Sequence, residues 1–304
     1  MADTDATLGI ETALVTGAIG NVGSWVVDHL ADRGVRVVGV DLDRPAGSRM
    51  YARFRDVDLR NQAETWETLQ EVDPDVIIHL AALSDPVNTP GTRVFSNNVT
   101  ATYNVLVAAG RAGTDVVWTS SQAAYGALFS GGQWTPDYLP IDEVHPLRPT
   151  DPYGTSKACG ERIAAMAARR YDIAVTTIRP ATIITPERSR ARPTEDGVDL
   201  REDDTSGDFG SYVDVRDVAR LIEAVIRTDH DGHEIVHCVA DENYLGEPTA
   251  EIVDAVCGTL PAECDLDGLE AAYSNAKAER LFDWTPAHEV PEHDLETLER
   301  PDWL

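Results

Sequence analysis

The order of apolar and polar positions divides the chain into short buried strands separated by amphipathic helices. Residues 12–16 (TALVT) form an apolar run that ends in Gly17-Ala18-Ile19-Gly20-Asn21-Val22-Gly23. Trp25, Val26, Val27 and Leu30 then recur with helical spacing as far as Gly34. Residues 35–40 predict a second strand that ends at Asp41, and 54–59 a third, carrying Asp56 and Asp58. Residues 75–80 (DVIIHL) predict a fourth that runs into Ala81-Ala82, and His79 within it reads as a satisfied strand residue. Further strands are expected at 116–121, 174–179 and 234–239. Helical spacing covers 62–70, 94–109, 152–170, 212–226, 250–257 and 275–282. This alternation predicts an α/β fold, a doubly wound parallel sheet of Rossmann-like type with a small C-terminal substrate lobe. The expected division is 1–182 plus 211–242 for the large domain, and 183–210 plus 243–304 for the lobe.

Two stretches break the pattern. Between 125 and 151 the glycines and prolines exclude a long helix or strand, so this loop is expected to wall an active site. Residues 186–210 are charged and poor in apolar side chains, and are expected to be mobile. Their Arg188, Arg190 and Arg192 read either as a solvated charged loop or as contacts for a diphosphate.

Chemistry gathers at the strand ends. Strand, glycine turn and helix in that order make a phosphate cradle, because glycines admit a close backbone approach and the helix start offers N–H groups. Asp41 is placed to accept from ribose hydroxyls and to repel a 2′-phosphate, which favours NAD over NADP. Arg44 argues the other way, since it could receive that phosphate. Tyr153 and Lys157 lie four apart on a helix and therefore share a face. An ammonium beside a phenol is expected to lower a pKa that starts near ~10, which suits a tyrosine that takes a proton from an alcohol. The chain has two lysines, Lys157 and Lys277, among 25 basic residues. Ser120 and Ser121 end the fifth strand, at the sheet edge where ligands bind in such folds.

Composition adds an environment. There are 53 acidic residues against 25 basic ones, a formal net charge of −28. Such a surface repels nucleic acid and anionic membranes and is under self-repulsion at low salt. The balance resembles that of proteins from extreme halophiles, haloarchaeal in type; an acidic mesophilic enzyme is the other reading. No apolar run is long enough to span a membrane and the first residues are not signal-like, so a cytoplasmic location is expected. The four cysteines lack metal-ligand spacing and read as small buried or partly buried side chains, with no metal site expected.

The motifs together resemble the extended short-chain dehydrogenases/reductases, the NAD-dependent epimerase/dehydratase family. They are Thr16 to Gly23, Asp58-Leu59, Leu80-Ala81-Ala82, Asn98, Thr119-Ser120-Ser121, Tyr153 to Lys157 and Arg179-Pro180. Residues 212–219 and 277–286 resemble later signatures of the same family. The resemblance implies a catalytic trio: Tyr153 as general acid/base, Lys157 holding the nicotinamide ribose, Ser121 donating to the reacting oxygen. It also implies a cofactor site of Gly17, Gly20, Asn21, Val22 and Gly23, with Asp41, Asn98, Thr119, Tyr153 and Lys157. Asp58 and Leu59 would border the adenine, Leu80, Ala81 and Ala82 the pyrophosphate side, and Pro180 the nicotinamide. Ser84, Ser121, Gln122, Thr182 and Arg192 are the candidate substrate contacts, from strand ends and the charged segment. The expected cofactor is NAD, the expected partner a small-molecule sugar, and a homodimer the expected assembly.

Three functions follow. The first is a dehydrogenase of free sugars, aldose or uronate, and the second a nucleotide-sugar 4-epimerase that keeps its NAD. The third is a non-catalytic NAD-binding regulator, disfavoured because Ser121, Tyr153 and Lys157 are all present. The run Pro180 to Pro186 lacks the asparagine and glycine that epimerases of this family commonly carry, which leans towards the dehydrogenase.

Overall fold

The computed structural model describes residues 8–129, 134–185, 206–289 and 301–304. In chain order the strands are β1 (Thr12–Thr16), β2 (Arg36–Asp41), β3 (Ala52–Asp56), β4 (Val76–His79), β5 (Asp115–Thr119) and β6 (Tyr138–Leu139). They continue with β7 (Val175–Pro180), β8 (Thr182–Ile184), β9 (Tyr212–Asp214), β10 (His233–Cys238) and β11 (Glu263–Cys264). The helices are α1 (Gly23–Ala31), α2 (Gln62–Val72), α3 (Gly91–Ala112), α4 (Pro152–Tyr171), α5 (Val215–Arg227), α6 (Thr249–Cys257) and α7 (Ala276–Phe282).

Seven strands form one parallel sheet in the order β10-β7-β5-β4-β1-β2-β3. The strand order turns back at β1, so the chain leaves opposite sides of the sheet from β1 and β4 and opens a crevice there. Continuous apolar strands such as Val76–His79 are buried throughout, as a sheet covered on both faces requires. One face meets α1 and α5 through Val26, Leu30, Val218 and Ile222. The other meets α2, α3 and α4 through Leu69, Val105, Leu106 and Ala164.

A third apolar cluster joins residues from 125–141 with residues from 181–273. Tyr125, Trp134, Leu139 and Ile141 from the expected wall pack with Phe209, Tyr244, Ile252 and Tyr273. Two differences from the expected division stand out. Within 243–304, α7 and residues 301–304 join the first cluster, because Ala278, Phe282, Trp284 and Trp303 pack with the sheet face that carries α1 and α5. The stretch 212–226 is not one helix: Tyr212–Asp214 pairs with β8, and the Asp214 side chain then caps α5 by accepting from Arg216 N–H. The third strand also ends sooner than expected, at Asp56, which leaves Asp58 and Leu59 on the loop beyond it. Cys238 is buried, Cys159 and Cys257 are partly buried, and Cys264 is exposed, contrary to expectation. No helix among the described residues is long and apolar enough to cross a membrane.

Candidate active site

A cleft of about 590 Å³ opens at the C-terminal edge of the sheet. The candidate catalytic, cofactor and substrate residues within the described residues line it, except Asn98 and the alternative phosphate ligand Arg44. Arg192, with the rest of 186–205, lies outside the described residues.

At one end the cleft is backbone. Gly17 has φ of 70° and its N–H donates to Val40 O at 2.8 Å. A Cβ there would stand 2.8 Å from Ala81 N, and one on Gly23 would stand 2.0 Å from Gly17 O. Glycine at both positions is what lets the turn close between β4 and α1. No side chain caps α1, and its first turn carries no acid. By contrast Asn61, Asp151 and Asp214 cap α2, α4 and α5. The start of α1 therefore suits a phosphate.

Asp41 reaches back to this turn, accepting from Ile19 N–H at 3.2 Å and from Leu42 N–H at 2.8 Å. The arginines nearby are engaged. Arg44 donates to Asp56 at 2.6 Å and Arg60 to Asp58 at 2.6 Å, and each arginine holds its carboxyl below the usual range.

At the other end two capped turns meet. Ser121 caps the single turn Gln122–Tyr125, its Oγ accepting from Ala123 N–H at 3.1 Å. Asp151 caps α4 by accepting from Tyr153 N–H and Gly154 N–H, both at 2.8 Å. A Cβ on Gly154 would lie 2.3 Å from Ala123 O, so glycine lets the start of α4 rest on the serine turn. That contact brings Tyr153 into hydrogen bonding with Ser121. Lys157, one helical turn on, is buried and donates from Nζ to Thr119 O at 2.7 Å. Its ammonium lies 5.6 Å from the centroid of the Tyr153 ring.

The electrostatics differ from the expectation at Tyr153. Burial pushes the phenol up to about 12, against the lowering hydrogen bond from Ser121. Burial also pushes the Lys157 ammonium down to about 7, partly offset by Glu161. Burial acts against the charged form of both groups, and at Tyr153 it outweighs the lowering expected from a neighbouring ammonium.

Behind the trio runs a buried polar chain. Ser120 Oγ donates to Glu161 Oε1 at 2.8 Å, and Arg179 grips both oxygens of Glu161, each at 2.8 Å. Arg179 Nη1 donates to the Tyr125 hydroxyl at 2.6 Å, which lies 2.6 Å from His237 Nε2. His237 Nδ1 is 2.9 Å from Ser274 O, an atom that can only accept, so the proton is on Nδ1; the single Tyr125 hydroxyl hydrogen is then shared between His237 Nε2 and Asp142 O, which lies 2.9 Å away. One chain of bonds so links β5, α4, β7 and β10 to the smaller lobe.

The wall facing the lobe is also polar. Thr182 Oγ1 donates to Asp208 Oδ2 at 2.8 Å and accepts from Gln122 Nε2 at 3.2 Å. With the threonine hydrogen given to the carboxylate, Gln122 must turn its amide N–H₂ to Thr182. Its buried Oε1 is left without a partner, an acceptor in the cleft wall.

Asn98 does not line the cleft. Its side chain accepts from Leu83 N–H at 2.8 Å and donates to Leu83 O at 3.0 Å and to Ser156 Oγ at 3.1 Å. It thus fixes the loop after β4, and the neighbouring Asn97 lines the cleft instead. Sequence reasoning also missed Leu128 and Phe129, which line the cleft from the wall loop, where no periodicity marks them. His79 is a satisfied strand residue as expected, 2.7 Å from Thr16 Oγ1 and 3.2 Å from Thr102 Oγ1. Among the described residues no group of histidine, cysteine or carboxylate side chains could hold a metal ion.

The model of the NAD dependent epimerase/dehydratase family matches residues 13–199. UDP-glucose 4-epimerase of Rhizobium leguminosarum bv. trifolii is 34% identical over 166 residues, 51% of this chain and 46% of that one. UDP-glucose 4-epimerase of Corynebacterium glutamicum is 25% identical over 95% of this chain and 94% of that one. Several of the curated relatives that this chain matches are covered over about half their length. Among solved structures, MoeE5 in complex with UDP-glucuronic acid and NAD superposes with a TM-score of 0.69, at 23% identity, over 94% of this chain and 97% of that one. A mutated uronate dehydrogenase superposes with a TM-score of 0.67, at 22% identity, over 92% and 83%.

Proposed function

Because the chain belongs to the NAD dependent epimerase/dehydratase family, we propose that it is a sugar dehydrogenase that oxidises a hydroxyl of a free aldose or uronate with NAD. The observation that carries this reading is the meeting of Ser121, Tyr153 and Lys157 in the same cleft as the glycine turn. The cleft fits a dinucleotide: Gly17, Gly20 and Gly23 leave room at an uncapped helix start, and Asp41 waits at the end of β2. NAD over NADP is supported by the Asp41 carboxylate and by the pairing of Arg44 with Asp56.

When bound, NAD would supply the hydride acceptor. Tyr153 accepts the hydroxyl proton as the substrate C–H is oxidised, and returns it to solvent afterwards. Ser121 donates to the reacting oxygen, and Lys157 binds ribose hydroxyls with the hydrogens not given to Thr119. Gln122 accepts from a second sugar hydroxyl, and Ser84 and Thr182 flank it. Leu80, Ala81, Ala82, Thr119 and Pro180 line the same cleft and would border the cofactor.

A nucleotide-sugar 4-epimerase that retains its NAD is the second reading, favoured by the UDP-glucose 4-epimerases among the relatives. The test is to supply NAD with a panel of free pentoses, hexoses and uronates in molar salt and follow near-ultraviolet absorbance. Steady NADH formation supports the dehydrogenase. No NADH with any free sugar, together with interconversion of UDP-sugars, would establish the epimerase.

A further inference from the structure

We infer that Trp303, far from the trio in the sequence and outside every motif, is a positioning residue for the dinucleotide cradle. The inference rests on the reading of that cradle as the NAD site. Trp303 is 2% exposed and touches three pieces of chain that each lead into the cleft. Its indole N–H donates to Asp28 Oδ1 at 2.7 Å, on α1, the helix that begins at the glycine turn. Its carbonyl accepts from Gly47 N–H at 3.0 Å, on the connection that follows Asp41 and Leu42. Its ring lies 4.8 Å from that of Phe54, centroid to centroid and tilted by 30°, on β3.

Phe54 carries the contact onwards. A Cβ on Gly39 would meet the Phe54 ring at 2.6 Å and the Ala18 Cβ at 2.8 Å, so phenylalanine and glycine turn close on the same spot of β2. The fit at Gly47 is equally tight, since a Cβ there would stand 2.6 Å from Trp303 O. Arg49 completes the joint by donating to Asp28 at 2.5 Å and pairing with Asp32.

The connection between β2 and β3 needs such an anchor. Leu42, Met50 and Tyr51 on it are 61%, 68% and 56% exposed, so little apolar burial holds it in place. Asp41 stands at its root, with a carboxylate that bonds to both the turn and the connection. A connection free to shift would take Leu42 out of the cleft wall and release one of the two bonds that orient Asp41. Trp303 therefore acts on cofactor affinity through α1 and this connection, without touching the cofactor.

The test measures NAD affinity by isothermal titration on the full chain, under conditions where circular dichroism shows each variant folded. Trp303→Ala is expected to weaken NAD roughly 2- to 30-fold, the range for residues that act through a packed joint. Turnover at saturating NAD and the KM for substrate stay at the wild-type values. Trp303→Phe keeps the ring against Phe54 and loses the bond to Asp28, and falls between the two; it also serves if the alanine variant does not fold. Phe282→Leu, in the same apolar cluster but on α7, is the comparison for plain loss of packing. Unchanged NAD affinity in folded Trp303 variants overturns the inference. So does an equal loss in Phe282→Leu at equal loss of thermal stability. A wild-type chain that takes up no NAD overturns the cradle reading itself, and this inference with it.

Discussion

In the proposed reading Tyr153 sets the chemistry at the scale of single residues, its hydroxyl taking the proton from an alcohol bonded to Ser121. Tyr153→Phe is expected to lower kcat roughly 100- to 10,000-fold, the usual worth of a positioned acid or base, with NAD affinity unchanged. Near-normal turnover would remove Tyr153 from this role. Asp41 permits a second measurement. Asp41→Asn removes a charged acceptor, so NAD should bind roughly 10- to 100-fold less tightly while NADP gains relative to it. A ratio of NAD to NADP affinity that does not move would contradict the assignment of Asp41. These residues were legible because each belongs to a short motif with one structural meaning. Asn97 and Asn98 are adjacent, and the packing of α3, which the sequence does not show, puts Asn97 in the cleft wall and turns Asn98 to Leu83. The high pKa of Tyr153 was illegible for a related reason. Spacing puts lysine and tyrosine on one face, yet burial decides where the charge goes.

Elements were legible wherever periodicity ran long enough. Strands buried on both faces announced themselves, as did the long helices α3 and α4. The misses fall where an element is short or borrows its stability from elsewhere. β9 has three residues and exists because β8 lies beside it, so its sequence reads as the first turn of α5. The apolar side chains of α7 could have joined either core, and nothing local chooses. The seam between α4 and β7 allows a test at this scale. Glu161 and Arg179 have side chains 4% and 3% exposed, and each satisfies the other. Glu161→Gln would strand the guanidinium and should cost about 3–5 kcal/mol in urea unfolding. Replacing both together by apolar residues of similar volume should recover more than half of that loss, although Ser120 and Tyr125 each lose a partner. A single variant as stable as the parent would show that the pair contributes nothing.

At the scale of the whole molecule charge dominates. With a net charge of −28, unfolding relieves self-repulsion, and salt removes that advantage. The urea midpoint should therefore rise steadily as KCl is increased from about 0.05 to 2 M, a range in which the screening length falls from over 10 Å to about 3 Å or less. A flat response would refute the halophilic reading. Acid should destabilise the fold by a separate route. His79 and His237 are both held down to about 3 by burial. A group with a depressed folded pKa stabilises the fold above its unfolded value, near 6.5, and loses that stabilisation as pH falls towards the folded one. In molar salt, where repulsion is screened, stability should fall between pH 6.5 and 5, by up to about 1.4 kcal/mol per pH unit for each imidazole. His79→Gln should make that slope shallower, and an unchanged slope would exclude the residue as its source. The sealed pair of Glu161 and Arg179 carries a last consequence, for descent rather than mechanism. A joint that tolerates change at both partners but at neither alone is closed to drift by single steps. Residues that line the cleft can be exchanged one at a time, whereas this pair would have to change together.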